Sequence, residues 1–392
     1  MPSGPSPVIG ARDLRIDWLR GLAMTCVIVN HSRLSSLLSW FSYQRFWVVT
    51  AAEVFVVLSG VVLGMVYGRR LDRDGLLTVV KGLGRRAAFL YATYVTVTLS
   101  VLALSLIGVD TSSLATVDDH GTGWFFEPRA FDAGAWRDVL LMRHGPWTFE
   151  IIGLYVFLVA AALPCVVAFR RVGWRLPLAV SWGLYGFYQV SSFRVTSAGF
   201  ESVFPILAWQ LPFVHGIAVG CYGDSIRAWV AQRPRAMVVA AALGTAAFMV
   251  FALSNPRADG PSWLRAGIVA PARFTYLYDR YFALSDLGIG RLLNLAVGLP
   301  LGYAALTWCW PIARRLQLVF VTLGQQSLGA FVLHVYGLIL LANLPYAQGV
   351  WTNTWAQLIL VLAIAAVLNG VRRQGIRQPA LRDTPARAWA AS

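Results

Sequence analysis

The chain has 392 residues, of which 57% are hydrophobic and 13% charged, with a formal net charge of +15. A soluble domain is normally about 45–50% apolar and about 25% charged. An ordinary soluble enzyme, a disordered chain and a fibrous repeat are therefore excluded, and a lipid environment is implied.

A transmembrane helix needs roughly 20 mostly apolar residues. In chain order the candidates are 16–36, 48–67, 87–108, 147–169, 176–192, 204–222, 237–253, 288–310, 318–341 and 354–371. They predict an all-α, polytopic membrane protein of about ten helices. The first segment is the least uniform, because it carries Asp17, Arg20, Asn30 and His31; the fifth and seventh are short.

The basic residues fall in every second connection. Arg12, Arg15 and Arg20 precede or open the first segment, and Arg69, Arg70, Arg73, Lys81, Arg85 and Arg86 lie between the second and third. Arg170, Arg171 and Arg175 follow the fourth; Arg227, Arg233 and Arg235 follow the sixth; Arg314 and Arg315 follow the eighth. Arg372, Arg373, Arg377, Arg382 and Arg387 form the tail. Together these are two thirds of the 33 Lys and Arg residues. The positive-inside rule puts both termini in the cytoplasm, and an even number of crossings agrees with that. The expected division is a single transmembrane domain, 1–371, and a basic cytoplasmic tail, 372–392. The charge is thus read as topology, and nucleic acid is not an expected partner, since no aromatic-interleaved basic patch is present.

Of the outward connections, 109–146 is acidic and 254–287 carries Pro256, Pro261 and Pro271. Pro2–Ile9 is neither basic nor a long apolar run, so no cleavable leader is expected there. The chain reads as a multi-pass protein of a plasma membrane. Cys26, Cys165, Cys221 and Cys309 are scattered within the apolar segments without metal spacing, and no metal site or disulfide framework is expected.

Ionisable residues at membrane depth are costly, and each raises a functional question. His31, Glu53, Glu150 and His334 converge on the outer level, with Arg194, Glu201 and Arg291 at the outer mouth. Asp17, Arg20, Arg85 and Arg86 form an inner set suited to an anionic ligand. Simpler readings stand beside these. Arg20 and Arg86 can snorkel to the interface, Asp17 and Arg20 can pair at i,i+3, and Glu53 or Glu150 can serve a helix N-terminus. His334 can be an interhelical hydrogen-bonder, and His215 a packed helix histidine. His120 and His144 read as surface residues. Arg20 and His31 lie eleven residues apart, roughly 16 Å along a helix, about half the hydrocarbon thickness.

The run Arg15-Ile16-Asp17-Trp18-Leu19-Arg20-Gly21-Leu22-Ala23, followed by His31, resembles the opening of the acyltransferase type 3 superfamily of integral-membrane acyltransferases. Glu53-Val54-Phe55-Val56-Val57-Leu58-Ser59-Gly60 resembles its second-helix signature, and Gly84-Arg85-Arg86-Ala87-Ala88-Phe89-Leu90-Tyr91 its basic approach to the third helix. Gly324-Gln325-Gln326-Ser327-Leu328-Gly329, with Phe331 and His334, resembles its late helix motif. Within the superfamily, the Glu53 and Gly324 runs look most like the OpgC family, which is associated with succinylation of periplasmic glucans. The stretch Trp147-Thr148-Phe149-Glu150 departs from the common pattern, and the role of Glu150 stays open.

The resemblance implies ten helices, an acyl-CoA donor from the cytosol (succinyl-CoA in the OpgC family) and a hydroxyl acceptor on an extracytoplasmic glycan or glycolipid. No permanently bound cofactor is implied. Arg20 and Arg86, with Arg85 and Asp17 beside them, become the donor-binding candidates, and His31 the catalytic base. The Arg-, Ala- and Trp-rich composition suits a high-GC bacterium, where an arabinan-type envelope polymer is one such acceptor. Elementary chemistry points the same way. Attack of a hydroxyl on a thioester needs a base and donors for the developing oxyanion. Neutral His31 can be the base; Asn30, Ser59 or His334 can be the donor; Glu53 can fix the His31 tautomer as the acid does in a triad. A dicarboxylic acyl group would want a cation at the outer site, where Arg194 and Arg291 are available. A polysaccharide or lipid transporter without chemistry is the competing function, since buried charges serve transport as well, although transporters often carry internal repeats and none is evident here. A membrane scaffold would need neither the buried histidine nor the paired arginines.

Overall fold

The computed structural model describes residues 13–114, 133–232, 234–258 and 260–374, whose regular elements are all helical, with no strand among them. In chain order the helices are α1 (Leu14–His31), α2 (Leu37–Trp40), α3 (Tyr43–Phe46), α4 (Ala51–Asp74), α5 (Leu76–Leu106), α6 (Ala133–Leu140), α7 (Glu150–Arg171) and α8 (Arg175–Ser191). There follow α9 (Ile206–Ala231), α10 (Pro234–Leu253), α11 (Pro271–Tyr281), α12 (Ile289–Trp308), α13 (Trp310–Ala313), α14 (Gln317–Gln325), α15 (Ser327–Asn343) and α16 (Val350–Arg373). Seven of the described helices are long and apolar enough to cross a membrane: α4, α5, α7, α9, α10, α12 and α16. The α14–α15 pair makes an eighth if the two are taken as one broken span. The first and fifth expected segments correspond to α1, which carries Arg15, Asp17 and Arg20, and to α8, only 17 residues long.

Several boundaries differ from expectation, each for a local reason. The first segment stops at His31 rather than 36, because Ser32 caps it and Arg33 turns into the left-handed region at φ 53°. The third starts at Leu76 rather than 87. Only Gly75, at φ 79°, separates α4 from α5, so Arg85 and Arg86 ride on a helix instead of a connection. The ninth is not one helix: the chain bends by 91° between α14 and α15 at Gln326. The last runs to Arg373, two residues into the expected tail, of which 375–392 lie outside the described residues.

Two close backbone approaches hold the centre. Gly60 and Gly64 on α4 face Gly216 and Gly220 on α9. A Cβ at Gly60 would lie 2.3 Å from the Phe213 carbonyl oxygen, and one at Gly220 2.2 Å from that of Val61. Small residues at i and i+4 let helices pack backbone to backbone where no hydrophobic drive separates protein from lipid. Likewise Gly21 of α1 abuts the Phe320 carbonyl and Gly324 of α14 the Asp17 carbonyl. That crossing sets Asp17 and Arg20 beside the α14–α15 break. At the start of α1, Asp13 caps the helix through the Arg15 N–H and accepts the Tyr303 hydroxyl of α12 at 2.6 Å. By contrast α10 has 6% of its apolar window buried and presents its sides outward.

Candidate active site

Two clusters form on α1, one at each end of the run from Arg20 to His31. The first surrounds Arg20, whose Nη2 donates to Ser327 Oγ at 2.7 Å and whose guanidinium lies 6.0 Å from the Phe55 ring. Ser327 is the first residue of α15, so the arginine stands at a helix N-terminus, where unpaired N–H groups and the helix dipole favour anions. Asp17 is buried and accepts Gln325 Nε2 at 3.1 Å; Gln325 in turn accepts from Arg372. The Tyr155 hydroxyl donates to Ser59 Oγ at 3.2 Å and sits within electrostatic reach of both Arg20 and Arg86. Arg20, Arg86 and Ser59 thus gather around a tyrosine that sequence reasoning did not single out. Its signal was weak: a tyrosine inside the apolar run that opens with Glu150. Arg86 is half-buried and Arg85 exposed. Ser59 has Tyr155 as its partner, so of the three oxyanion-donor candidates it lies with the inner cluster.

The second cluster surrounds His31. Its Nδ1 is 3.1 Å from Nε2 of His334, and His334 Nδ1 is 2.5 Å from the Phe331 carbonyl oxygen. His334 is fully buried. The His31 ring packs 4.8 Å from that of Trp147, over which the Arg33 guanidinium stands at 4.5 Å. The Trp147 indole N–H donates to the Ser113 carbonyl. Asn30 is half-buried beside His31, and its carbonyl accepts the Ser32 and Arg33 N–H groups. Glu150 is buried at the first position of α7, three residues beyond Trp147 and near Tyr94.

The hydrogen-bond pattern assigns the protons. A carbonyl oxygen only accepts, so His334 Nδ1 carries the hydrogen of its bond to Phe331. With both rings neutral, His334 Nε2 is then a bare acceptor, and the hydrogen in the 3.1 Å contact belongs to His31 Nδ1. His31 Nε2 is left with its lone pair. Two residues on different helices thereby define one basic nitrogen.

Glu53 serves the helix N-terminus, as the simpler of its two readings had it, and its ionic partner is Arg291 rather than His31. Its Oε1 accepts Arg291 Nε at 2.5 Å, with both side chains no more than 1% exposed. Its Oε2 accepts the Thr50 N–H at 2.9 Å and the Thr50 hydroxyl, completing a capping box at the start of α4. The partner of Glu53 is Arg291, and the group that orients His31 is His334. Arg291 also donates to the Phe282 carbonyl and is not a bare cation at the surface. Arg194 is exposed and near Glu201 and Tyr188. In the connection between α8 and α9, burial pushes the Glu201 carboxyl up, against the hydrogen bond from Thr196 and the charge of Arg194. Among the remaining histidines, His215 is held by the Leu211 carbonyl and the Trp182 indole, and His120 lies outside the described residues. No group of three His, Cys, Asp or Glu side chains able to hold a metal occurs among the described residues.

A family model described as OpgC protein matches residues 12–374, nearly the whole chain. No curated protein and no solved structure matches it.

Proposed function

The chain belongs to the OpgC family, a family of membrane-associated glucan modification by succinylation, and from that premise we propose an acyl-CoA-dependent O-acyltransferase of the bacterial plasma membrane. The acyl group, succinyl in this reading, passes from a cytosolic thioester to a hydroxyl of an extracytoplasmic glycan. Ten crossings with both termini inside, as in the acyltransferase type 3 superfamily, make α1 and α8 spans along with the bent pair.

The observation that carries the proposal is the Phe331–His334–His31 chain of hydrogen bonds. It leaves one imidazole nitrogen free to take the proton of an attacking hydroxyl. The alkoxide oxygen bonds to the thioester carbon, the C–S bond breaks, and the thiolate leaves with the proton that His31 has collected. Asn30, adjacent to the base, is the remaining candidate donor to the oxyanion. Arg20, Arg86 and the α15 N-terminus suit the phosphates of the donor. The arm between phosphates and thioester is thin and largely uncharged, so it can span the roughly 16 Å from Arg20 to His31. Chemistry then happens without the glycan crossing the membrane.

Radiolabelled succinyl-CoA, purified protein and glucan acceptor test the reading directly: label should appear on the glycan. An intact thioester with no label on the glycan, or glycan flux without label, overturns it and returns the transporter. Charge-assisted hydrogen bonds from arginine to phosphate cannot be made by alanine. Arg20→Ala and Arg86→Ala should therefore weaken thioester binding by at least about tenfold each, one such bond being worth about 1.5–3 kcal/mol. Unchanged affinity in both assigns them to topology alone. Orientation is read by cysteine labelling. Ser112 is exposed, whereas the Ser113 carbonyl holds Trp147, so Ser112→Cys should react from outside and Ser392→Cys only after the membrane is opened.

A further inference from the structure

A cavity of about 130 Å³ lies apart from both clusters, walled by Trp47, Thr50, Asn255, Phe274, Tyr278 and Arg291 among others. It belongs to the end of the bundle that carries His31. The segment 32–50 leaves the His31 turn, passes through α2 and α3, and ends as the wall of this cavity before α4 begins. The same segment is pinned on the way by Arg45, whose Nη2 donates to the Leu264 carbonyl, and by the Phe41–Trp263 ring contact.

The wall has an unusual hydrogen-bond inventory. Arg291 spends Nε on Glu53 and Nη1 on Phe282, while its buried Nη2 has no partner among the described residues. One turn further along α12 and behind the lining, Asn294 accepts the Val48 and Val49 N–H groups of the wall through Oδ1, and its buried Nδ2 likewise has no partner among the described residues. Both unmet groups are donors, on one face of one helix at i,i+3. Buried polar groups in folded proteins are nearly always hydrogen-bonded. Of the two, Arg291 lines the cavity, so a molecule that suits this wall brings an acceptor oxygen to it. It need not bring charge, because Glu53 already neutralises Arg291 within a fully buried pair. It must also present an apolar side, since Trp47 lines the cavity and the Phe274 and Tyr278 rings stack at 5.6 Å and 21°. An uncharged molecule with acceptor oxygens around its edge and C–H groups on its faces is a sugar ring.

We infer that this cavity is a subsite for a neutral sugar unit of the acceptor glycan, one or more residues along the chain from the hydroxyl that reacts at His31. The inference rests on the glycan-acylating reading and adds to it where the polymer is gripped. It also reassigns Arg291, from a cation for the acyl carboxylate to a neutralised donor for sugar oxygens. A polymer held at one end of the 32–50 segment and acylated at the other is selected for length, since a single sugar cannot occupy both places.

The test uses gluco-oligosaccharides of one to six units as acceptors, with the full-length protein and succinyl-CoA. In the wild type the acceptor KM should fall as units are added. Tyr278→Ala and Asn255→Ala should raise KM for the longest acceptor by about three- to tenfold, the worth of one net hydrogen bond or comparable contact, and should flatten the dependence on length. Tyr276→Ala, two residues away on α11 and exposed, should leave it unchanged. Acceptor KM unchanged in both wall variants overturns the subsite. So does a change confined to the KM of succinyl-CoA or to the preference for succinyl over acetyl, which would make the cavity an acyl pocket. Titration calorimetry of the hexasaccharide without acyl-CoA separates this from the enzymatic reading. Binding that Tyr278→Ala weakens supports the subsite even where no transfer occurs, and absence of binding to the wild type overturns it.

Discussion

Replacing His31 by alanine is expected to cut acyl transfer by about 10²–10⁴-fold, the usual worth of a general base, with succinyl-CoA binding intact. His334→Phe should come close behind it. That change removes the Nε2 acceptor which holds the His31 Nδ1 hydrogen, so the His31 ring can turn or exchange tautomers and its basic nitrogen is no longer held ready. Loss of the tautomer-setting partner costs up to about 10⁴-fold in a serine protease triad. His334→Gln retains an oxygen that can accept and should recover part of the rate, in kcat rather than in KM. The pH profile supplies the sign. A base works only when neutral, so wild-type transfer should fall toward acid pH as imidazolium forms, and the residual rate of His31→Ala should lack that acid limb. Wild-type kcat in His334→Phe would show the contact to be packing. Near-wild-type transfer in His31→Ala would move the base to His334 or Glu150.

The second large effect concerns stability. Glu53 and Arg291 form a fully buried pair with a 2.5 Å contact. Removing one partner of such a pair typically costs about 3–5 kcal/mol, because the other is left charged and unpaired. Glu53→Ala should therefore lower the detergent melting temperature sharply and reduce the yield of folded protein. Replacing both, as Glu53→Leu with Arg291→Met, should recover much of the loss, since apolar replacement of the whole pair is often neutral. A residue that served only to orient His31 would behave otherwise: Glu53→Ala would fold normally and lose kcat, and the double variant would gain nothing back.

These two predictions separate what the sequence carried from what it concealed. Charge at membrane depth is locally visible, because each such residue interrupts an apolar run; Arg20, His31, Glu53, Glu150 and His334 were all legible that way. Their partners were not. His31 meets a residue 303 positions on and Glu53 one 238 positions on, and neither separation leaves a trace in helical periodicity. The division into apolar segments was legible from hydropathy, but the α14–α15 bend was not. Gln325, Gln326 and Ser327, at the bend, are a short polar interruption in a run that still averages as hydrophobic. Arg85 and Arg86 looked like connection residues because they are charged. They are helical because the single Gly75 turn leaves α5 long enough to reach beyond the apolar layer.

The glycine seam between α4 and α9 has a consequence for biogenesis. Gly60 and Gly64 leave the ribosome more than 150 residues before Gly216 and Gly220, and at about 5–20 residues per second that is roughly 8–30 s of synthesis. Throughout that interval α4 sits in the bilayer with a notch where side chains would otherwise cover the backbone, filled by lipid tails until α9 arrives. Association of the two is then driven by packing and released lipid rather than by hydrophobic burial, and it closes a circuit around α5, α7 and α8, which are inserted in between. A bulky residue at Gly64 or Gly220 would leave insertion untouched and block this late docking, yielding a chain fully threaded through the membrane and open to quality-control proteolysis.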